Sequence, residues 1–152
     1  MAKTHIVERA LVNRKTFYKY YSGKSDLAGA MIAEFKNSYA ELLKERFKTN
    51  NLQNFLQKFI PFLFEQRKTL LALWRVQTKR HHLYADMQQL VAHAFIAQAI
   101  AKKGEKDWHY QAKMMSILSL ESMKYWLELD QMPPNREMLK MWLEMVEIVR
   151  IE

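Results

Sequence analysis

The chain has 152 residues, which is enough for one domain of ordinary size or for one core with a small appended module. Its composition of 49% apolar and 26% charged residues excludes general disorder, and its three glycines and three prolines exclude collagen-like, linker-like and proline-rich sequences. The net charge is +8, and the absence of cysteine excludes disulfides, thiolate metal sites and cysteine nucleophiles.

The first 24 residues carry most of the positive charge. They hold six basic side chains and one acidic side chain, a net charge of +5, whereas the other 128 residues have a net charge of +3. Charge concentrated in this way indicates an anionic partner, either nucleic acid or an acidic lipid surface. A merely basic N-terminal segment is the alternative.

Two short helices are predicted in this basic segment. Residues 6–11 form an amphipathic stretch, and Asn13 is a good N-cap for a second helix over residues 14–20, before Ser22 and Gly23 interrupt the pattern. Two helices of about seven residues are not stable alone in water, and their spacing fits a helix-turn-helix, whose second helix enters the DNA major groove. The second helix is too short to be an attractive membrane-surface element.

Basic and polar side chains share the exposed side of this second helix. Arg14, Lys15 and Thr16 lie near its N-terminus, where the helix dipole and the free amide groups favour phosphate. Tyr18 follows Arg14, and Lys19 follows Lys15, at the four-residue spacing of one helix face. This face is therefore predicted to contact DNA.

A long amphipathic helix follows the basic segment. Apolar residues recur at three- and four-residue spacing over residues 27–47, and the polar residues 49–51 end the helix. The next helix begins near Leu52. Pro61 is predicted to kink or break it, because proline lacks the N–H group and crowds the preceding turn.

The rest of the chain is also predicted to be helical. A helix through residues 70–76 ends at the basic cluster 79–82, and the following helix stops at residues 102–104, where two lysines precede a glycine. The last two helices are predicted over about 108–129 and 135–151. No stretch alternates with period two and no internal repeat is present, so the predicted fold class is all-α.

The segment that contains the two short helices carries a specific motif. Residues 6–27 read IVERALVNRKTFYKYYSGKSDL and resemble the DNA-binding segment of TetR-family transcriptional regulators. The resemblance depends on residues 16–18 together with Tyr21, Lys24 and Leu27, which match the family's residue types at the family's spacing. The remainder of the chain is similar to the family only in its helical architecture.

The resemblance implies a fold and a function. In this family the first three helices bind operator DNA, the last two helices pair in a dimeric four-helix bundle, and a small molecule bound among the middle helices usually releases the DNA. We therefore expect a DNA-binding segment with its connecting helix in residues 1–48, and a ligand-binding and dimerisation domain in residues 49–152. The expected function is repression by a homodimer on a roughly palindromic operator.

Eight residues are the candidates for DNA contact. The resemblance implies that Tyr18 and Lys24 contact operator phosphates, and the others are placed for base or phosphate contact, although Asn13 also serves as the cap. The eight are Asn13, Arg14, Lys15, Thr16, Tyr18, Lys19, Tyr20 and Lys24.

The sequence departs from the family pattern in two places. Leu11 stands where the family normally has a glycine, and a leucine is accommodated there only if the backbone avoids positive φ. The family also has a helix of some fifteen to twenty residues before this segment, whereas five residues precede Ile6 here. The resemblance thus implies a DNA-binding domain without its first helix. Three explanations for the missing helix remain open: a shortened chain, a start codon assigned at an internal methionine, and a naturally degenerate member of the family.

Apolar and aromatic residues of the middle helices are the candidates for an effector pocket. Methionine and aromatic side chains at helical spacing are more often core, but Pro61 and the ten methionines favour adaptable packing around a small apolar molecule. Glu121 lies in an otherwise apolar row and is expected to bind a cationic inducer, to pair with Arg75 or to lie at the rim. The candidates are Phe59, Phe62, Trp74, Met87, Phe95, Met114, Glu121 and Tyr125.

The last two helices are the candidates for a dimer interface. The terminal helix is apolar around more of its circumference than a single core contact requires, so a second copy is expected to cover it. The predicted interface residues are Leu118, Ser122, Trp126, Met138, Trp142, Met145 and Val149.

Other classes of function receive little support from the sequence. No catalytic serine-histidine-aspartate order, glycine-rich phosphate loop or metal-binding histidine motif occurs, so neither an enzyme nor a cofactor is expected. No window of about 18 apolar residues and no secretory leader is present, which predicts a cytoplasmic protein without a membrane contact. The alternative function is a helical homodimer that binds a ligand or a protein partner, its DNA-reading segment being degenerate.

Overall fold

The computed structural model describes residues 23–48, 52–134 and 136–150, and within them the chain is helical. No strand occurs in these ranges, so the prediction of an all-α fold is confirmed for them. The six helices are α1 (Lys24–Lys48), α2 (Leu52–Glu65), α3 (Arg67–Trp74), α4 (Leu83–Lys103), α5 (His109–Glu128) and α6 (Glu137–Val149).

Two helix boundaries differ from the prediction. Pro61 lies inside α2 and does not break it, because Phe59, Ile60 and Leu63 are all buried around it and their packing holds the helix together. Pro61 itself is exposed. Its missing N–H group removes one helical hydrogen bond, but on the exposed side of the helix the carbonyl group left without this partner can bind water. The helix after it, α3, ends at Trp74 rather than near the basic cluster.

The main core lies between α1, α2, α3, α4 and α5. It contains Leu70 and Leu83, which are fully buried, and Tyr39 from the middle of α1. Trp74 donates a hydrogen bond from Nε1 to the sulfur of Met87 at 3.2 Å, which joins α3 to α4 within this core. The residues of α1 thus share one core with those of the later helices.

The helices α4 and α5 form an antiparallel pair with well-defined ends. His82 caps the start of α4, where its Nδ1 accepts a hydrogen bond from the backbone N–H of Ala85 at 3.0 Å. Gly104 ends α4 with a φ of 87°, a conformation that favours glycine. The helices α1 and α3 pack against this pair, and α2 packs against α1 and α3.

A tight turn before α4 packs against the start of α1. Thr78 donates its backbone N–H to the carbonyl oxygen of His81 at 2.9 Å, and the hydroxyl of Thr78 accepts the N–H of His81 at 2.9 Å. The turn places the imidazole of His81 directly over Gly29, and the guanidinium of Arg80 lies 3.7 Å from the carboxylate of Asp26. The turn is therefore attached to the first two turns of α1, where the motif of residues 6–27 ends.

The last helix, α6, is packed much less tightly than the others. None of its residues is buried, and apolar side chains such as Leu143, Val146, Ile148 and Val149 are between 55% and 82% exposed. In the part of the chain that the structure describes, no helix combines the length and apolarity that a membrane span requires.

Candidate ligand-binding cavity

A cavity of about 390 Å³ lies between α1, α2, α4, α5 and α6. Its volume falls in the range of about 300–1,000 Å³ that is typical of small-molecule sites in proteins. The cavity adjoins the core on the side of α1 and α2, and α6 covers it on another side. Every described helix except α3 thus contributes to its wall.

The wall of the cavity is almost entirely apolar. Phe59 from α2, Phe95 from α4 and Trp142 from α6 supply aromatic surface, and Met115 and Met123 from α5 supply flexible thioether side chains. No aspartate, glutamate, lysine, arginine or histidine lines the cavity among the residues that the structure describes. Such a wall favours a ligand that carries no charge, because an unpaired charge is costly to remove from water.

Tyr39 is the most deeply buried polar residue of the wall. It is 2% exposed, and its ring packs against Phe35 and Phe59 with centroid distances of 6.4 and 5.6 Å. Its hydroxyl makes no hydrogen bond with any described residue. Burial raises the pKa of Tyr39 well above its ordinary value, so this side chain stays neutral at physiological pH.

The structure divides the predicted pocket residues into three groups. Phe59 and Phe95 line the cavity. Trp74 and Met87 belong to the core, as does the half-buried Phe62, whose ring lies 5.8 Å from that of Phe35. Met114, Glu121 and Tyr125 lie on the exposed face of α5, where Tyr125 is 59% exposed.

Of the three alternatives left open for Glu121, the ion pair with Arg75 does not form, and the side chain lies exposed on α5. Its carboxylate accepts a hydrogen bond from the hydroxyl of Tyr84 in α4, whereas Arg75 makes no ion pair with it. Partial burial of the phenol, together with this hydrogen bond and the negative charge of Glu121, raises the pKa of Tyr84 above its ordinary range. Glu121 therefore connects α4 to α5 outside the cavity and is not placed to anchor a ligand within it.

The predicted dimer residues are divided between α5 and α6, and those on α6 lie on two of its sides. Met138 and Trp142 line the cavity, and the hydroxyl of Ser122 in α5 donates a hydrogen bond to the sulfur of Met138 at 3.1 Å. Met145 and Val149 are exposed on α6. The remaining two predicted residues, Leu118 and Trp126, are half-buried on α5.

The sequence reasoning missed the polar groups of the cavity. Tyr39 was one of several regularly spaced residues in a long helix, and Gln98 and Ser119 had no motif around them. The signal that could have identified Tyr39 is a tyrosine inside an apolar stripe, because a buried phenol usually has a hydrogen-bond partner and so indicates a polar contact in the interior.

Seven of the eight predicted DNA-binding residues, Asn13 to Tyr20, lie outside the described residues. The eighth, Lys24, begins α1, but its side chain is outside them as well.

Comparisons with known proteins add no relative to this picture. No protein-family model, no curated protein and no solved structure matches the chain. Within the described residues, the fold therefore defines an all-α protein with a partly open apolar cavity.

Proposed function

We propose that the protein is a TetR-like transcriptional regulator, a cytoplasmic homodimer that represses from an operator and releases it when a small apolar effector binds. The observation that supports this most directly is the path of α1. This helix begins at Lys24, inside the motif that resembles a DNA-binding segment, and Tyr39 on the same helix lines the cavity. A ligand in the cavity thus contacts the helix that continues from the DNA-binding motif.

The terminal helix supports the homodimer. Leu139, Leu143 and Val146 follow one another at four- and three-residue spacing on α6 and are between 51% and 62% exposed. An apolar helix face of this kind is characteristic of an interface, since exposed contiguous apolar surface is uncommon on monomers. We propose that a second copy covers this face, in contact with the neighbouring α5.

Substitution on this face tests the dimer. Replacing Leu143 and Val146 together with glutamate is expected to give monomers in light scattering, because the carboxylates would be buried without partners in the interface. The matched control is Lys140→Glu, which places a glutamate at an exposed polar position of the same helix and is expected to leave the dimer intact. A double variant that remains dimeric contradicts this placement of the interface.

Salt-dependent DNA binding tests the regulator. The full chain is mixed with labelled DNA from the region upstream of its own coding sequence, and the affinity is measured at several salt concentrations. We expect the logarithm of the affinity to fall linearly with the logarithm of the salt concentration, and Lys15→Ala to reduce the slope by about one if that side chain contacts a phosphate. Lys113→Ala, on the exposed surface of α5, is the control and is expected to leave the slope unchanged. Absence of DNA binding at low salt contradicts the proposal.

A helical homodimer that binds a ligand or a protein partner without DNA is the second candidate function. It is supported by the cavity and the exposed face of α6, whose described residues all follow the basic segment in the chain. A dimer that binds apolar ligands but retains no affinity for DNA at low salt would support this second function over the first.

A further inference from the structure

Among the described residues, the wall of the cavity provides no charged side chain that could neutralise a charged ligand. The candidate anchor for a cation, Glu121, lies on the outer face of α5 with its carboxylate engaged by Tyr84. A cation or an anion in the cavity would lose its hydration without gaining a counter-charge from the lining.

One polar group of the wall has no partner of its own. The hydroxyl of Tyr39 can both donate and accept a hydrogen bond, yet no described residue is within hydrogen-bonding geometry of it. The ring is held against Phe35 and Phe59, and the hydroxyl keeps some contact with solvent. A ligand that displaces water from this hydroxyl leaves it unpaired, which is unfavourable, unless the ligand supplies a hydrogen-bond partner of its own.

The remaining wall is suited to an apolar body of variable shape. Met115, Met123 and Met138 line the cavity, and unbranched methionine side chains adapt to differently shaped neighbours. Gln98 and Ser119 are half-buried members of the wall, which makes Tyr39 the polar group best shielded from water.

We propose that the cavity binds an uncharged amphiphile, a molecule with an apolar body and one hydroxyl or carbonyl head group, and that the hydroxyl of Tyr39 receives this head group. Tyr39 thereby determines which apolar molecules bind best. This inference rests on the ligand-binding part of the proposed function and names the class of its effector.

The experiment uses a reporter and a matched series of competitors with the full chain and without DNA. N-phenyl-1-naphthylamine, an uncharged dye that fluoresces in apolar surroundings, is bound first and is then displaced by four naphthalenes. These carry a hydroxyl, a methyl, an aminomethyl (cationic) or a carboxylate (anionic) group at the same ring position. We expect both uncharged compounds to displace the dye and both charged compounds to bind at least about tenfold more weakly than 1-naphthol.

Tyr39→Phe tests the assigned hydrogen bond. We expect the affinity of 1-naphthol relative to 1-methylnaphthalene to fall about three- to tenfold in this variant, the range for loss of one hydrogen bond. Tyr125→Phe removes a hydroxyl from the exposed face of α5 and is the matched control, with an unchanged ratio. Ala94→Leu, which adds volume to the cavity wall, is expected to weaken binding of both compounds and so locates the site.

Three results would overturn the inference. They are no binding of the dye, binding of a charged naphthalene as tight as that of 1-naphthol, and the same ratio of affinities in Tyr39→Phe and the unaltered protein. The first two are read on the unaltered chain and therefore do not depend on how well a variant folds. Since no DNA is present, these results are separate from the salt-dependent DNA binding that decides the proposed regulator.

Discussion

Gly29 and His81 are predicted to be energetically coupled. A Cβ atom added at Gly29 would lie 2.7 Å from Cε1 and 2.9 Å from Nε2 of the His81 imidazole. Carbon atoms in favourable contact are about 3.5–4.0 Å apart, so Gly29→Ala produces an overlap of nearly 1 Å unless the ring moves. The backbone of His81 is held in its turn by two hydrogen bonds with Thr78, each 2.9 Å long, so the ring has to yield through its own torsions.

Two opposing contributions set the size of the effect. Alanine stabilises a helix interior by about 1 kcal/mol relative to glycine. Overpacking typically costs about 1–3 kcal/mol. Gly29→Ala is therefore expected to lower the free energy of unfolding by about 0–2 kcal/mol in the unaltered protein. In a His81→Ala background the overlap is absent, and the same substitution is expected to raise that free energy by about 0.5–1 kcal/mol.

Urea unfolding followed by circular dichroism at 222 nm measures this coupling. The four proteins of the double-mutant cycle are compared at one protein concentration, because a dimer makes the apparent stability depend on concentration. The expected coupling is about 1–3 kcal/mol. If Gly29→Ala stabilises the protein equally in both backgrounds, the close packing of the turn against α1 is refuted.

Three further predictions concern stability. Burial raises the pKa of Tyr39 and Tyr84 in the folded protein, so the folded state binds these two protons more tightly than the unfolded state does. The free energy of unfolding is therefore expected to fall as the pH rises above about 10, where the unfolded phenols ionise. Urea titrations at pH 8 to 11 check this, and a free energy of unfolding that does not change with pH refutes it. Leu70→Ala, at a fully buried position, is expected to lower the free energy of unfolding by about 2–5 kcal/mol, whereas Leu139→Ala, at a 51% exposed position, has a smaller effect in chemical denaturation. Asp130 has a φ of 55°, which is the left-handed region of the backbone. Asp130→Val is expected to lower the free energy of unfolding by about 1–2 kcal/mol, and Asp130→Asn is expected to lower it much less. Equal melting temperatures for the two variants would contradict a left-handed backbone at this residue.

Helix positions were largely predictable because periodicity and end signals act locally. The apolar spacing after Leu27 predicts α1, and the glycine after two lysines predicts the end of α4 at Lys103, as the structure has it. Pro61 shows a limit of local reasoning, which predicts a kink or a break without deciding between them, and the helix is not broken. Its effect on the helix depends on packing by Ile60 and Leu63 against other helices, which no local pattern records.

The composition of the cavity was only partly predictable for the same reason. Phe59 and Phe95 were identified from their apolar character, which a cavity wall and a core share. The orientation of each helix decides which residues face the cavity. Ser119 and Glu121 are two residues apart, about 200° around the axis of α5, so Glu121 lies on the outer face when Ser119 lines the wall. The absence of a charged side chain from the described wall follows from this orientation.

Hydroxyl-radical footprinting on the upstream DNA tests the central claim most directly, since the claim is that a homodimer reads an operator. Two protected patches are expected, with centres one helical turn apart, about 34–36 Å along the DNA. Both should disappear together in the Leu143→Glu, Val146→Glu double variant, because a monomer cannot hold two reading segments at that spacing. Uniform cleavage of the upstream DNA in the presence of the unaltered protein at low salt would contradict the claim.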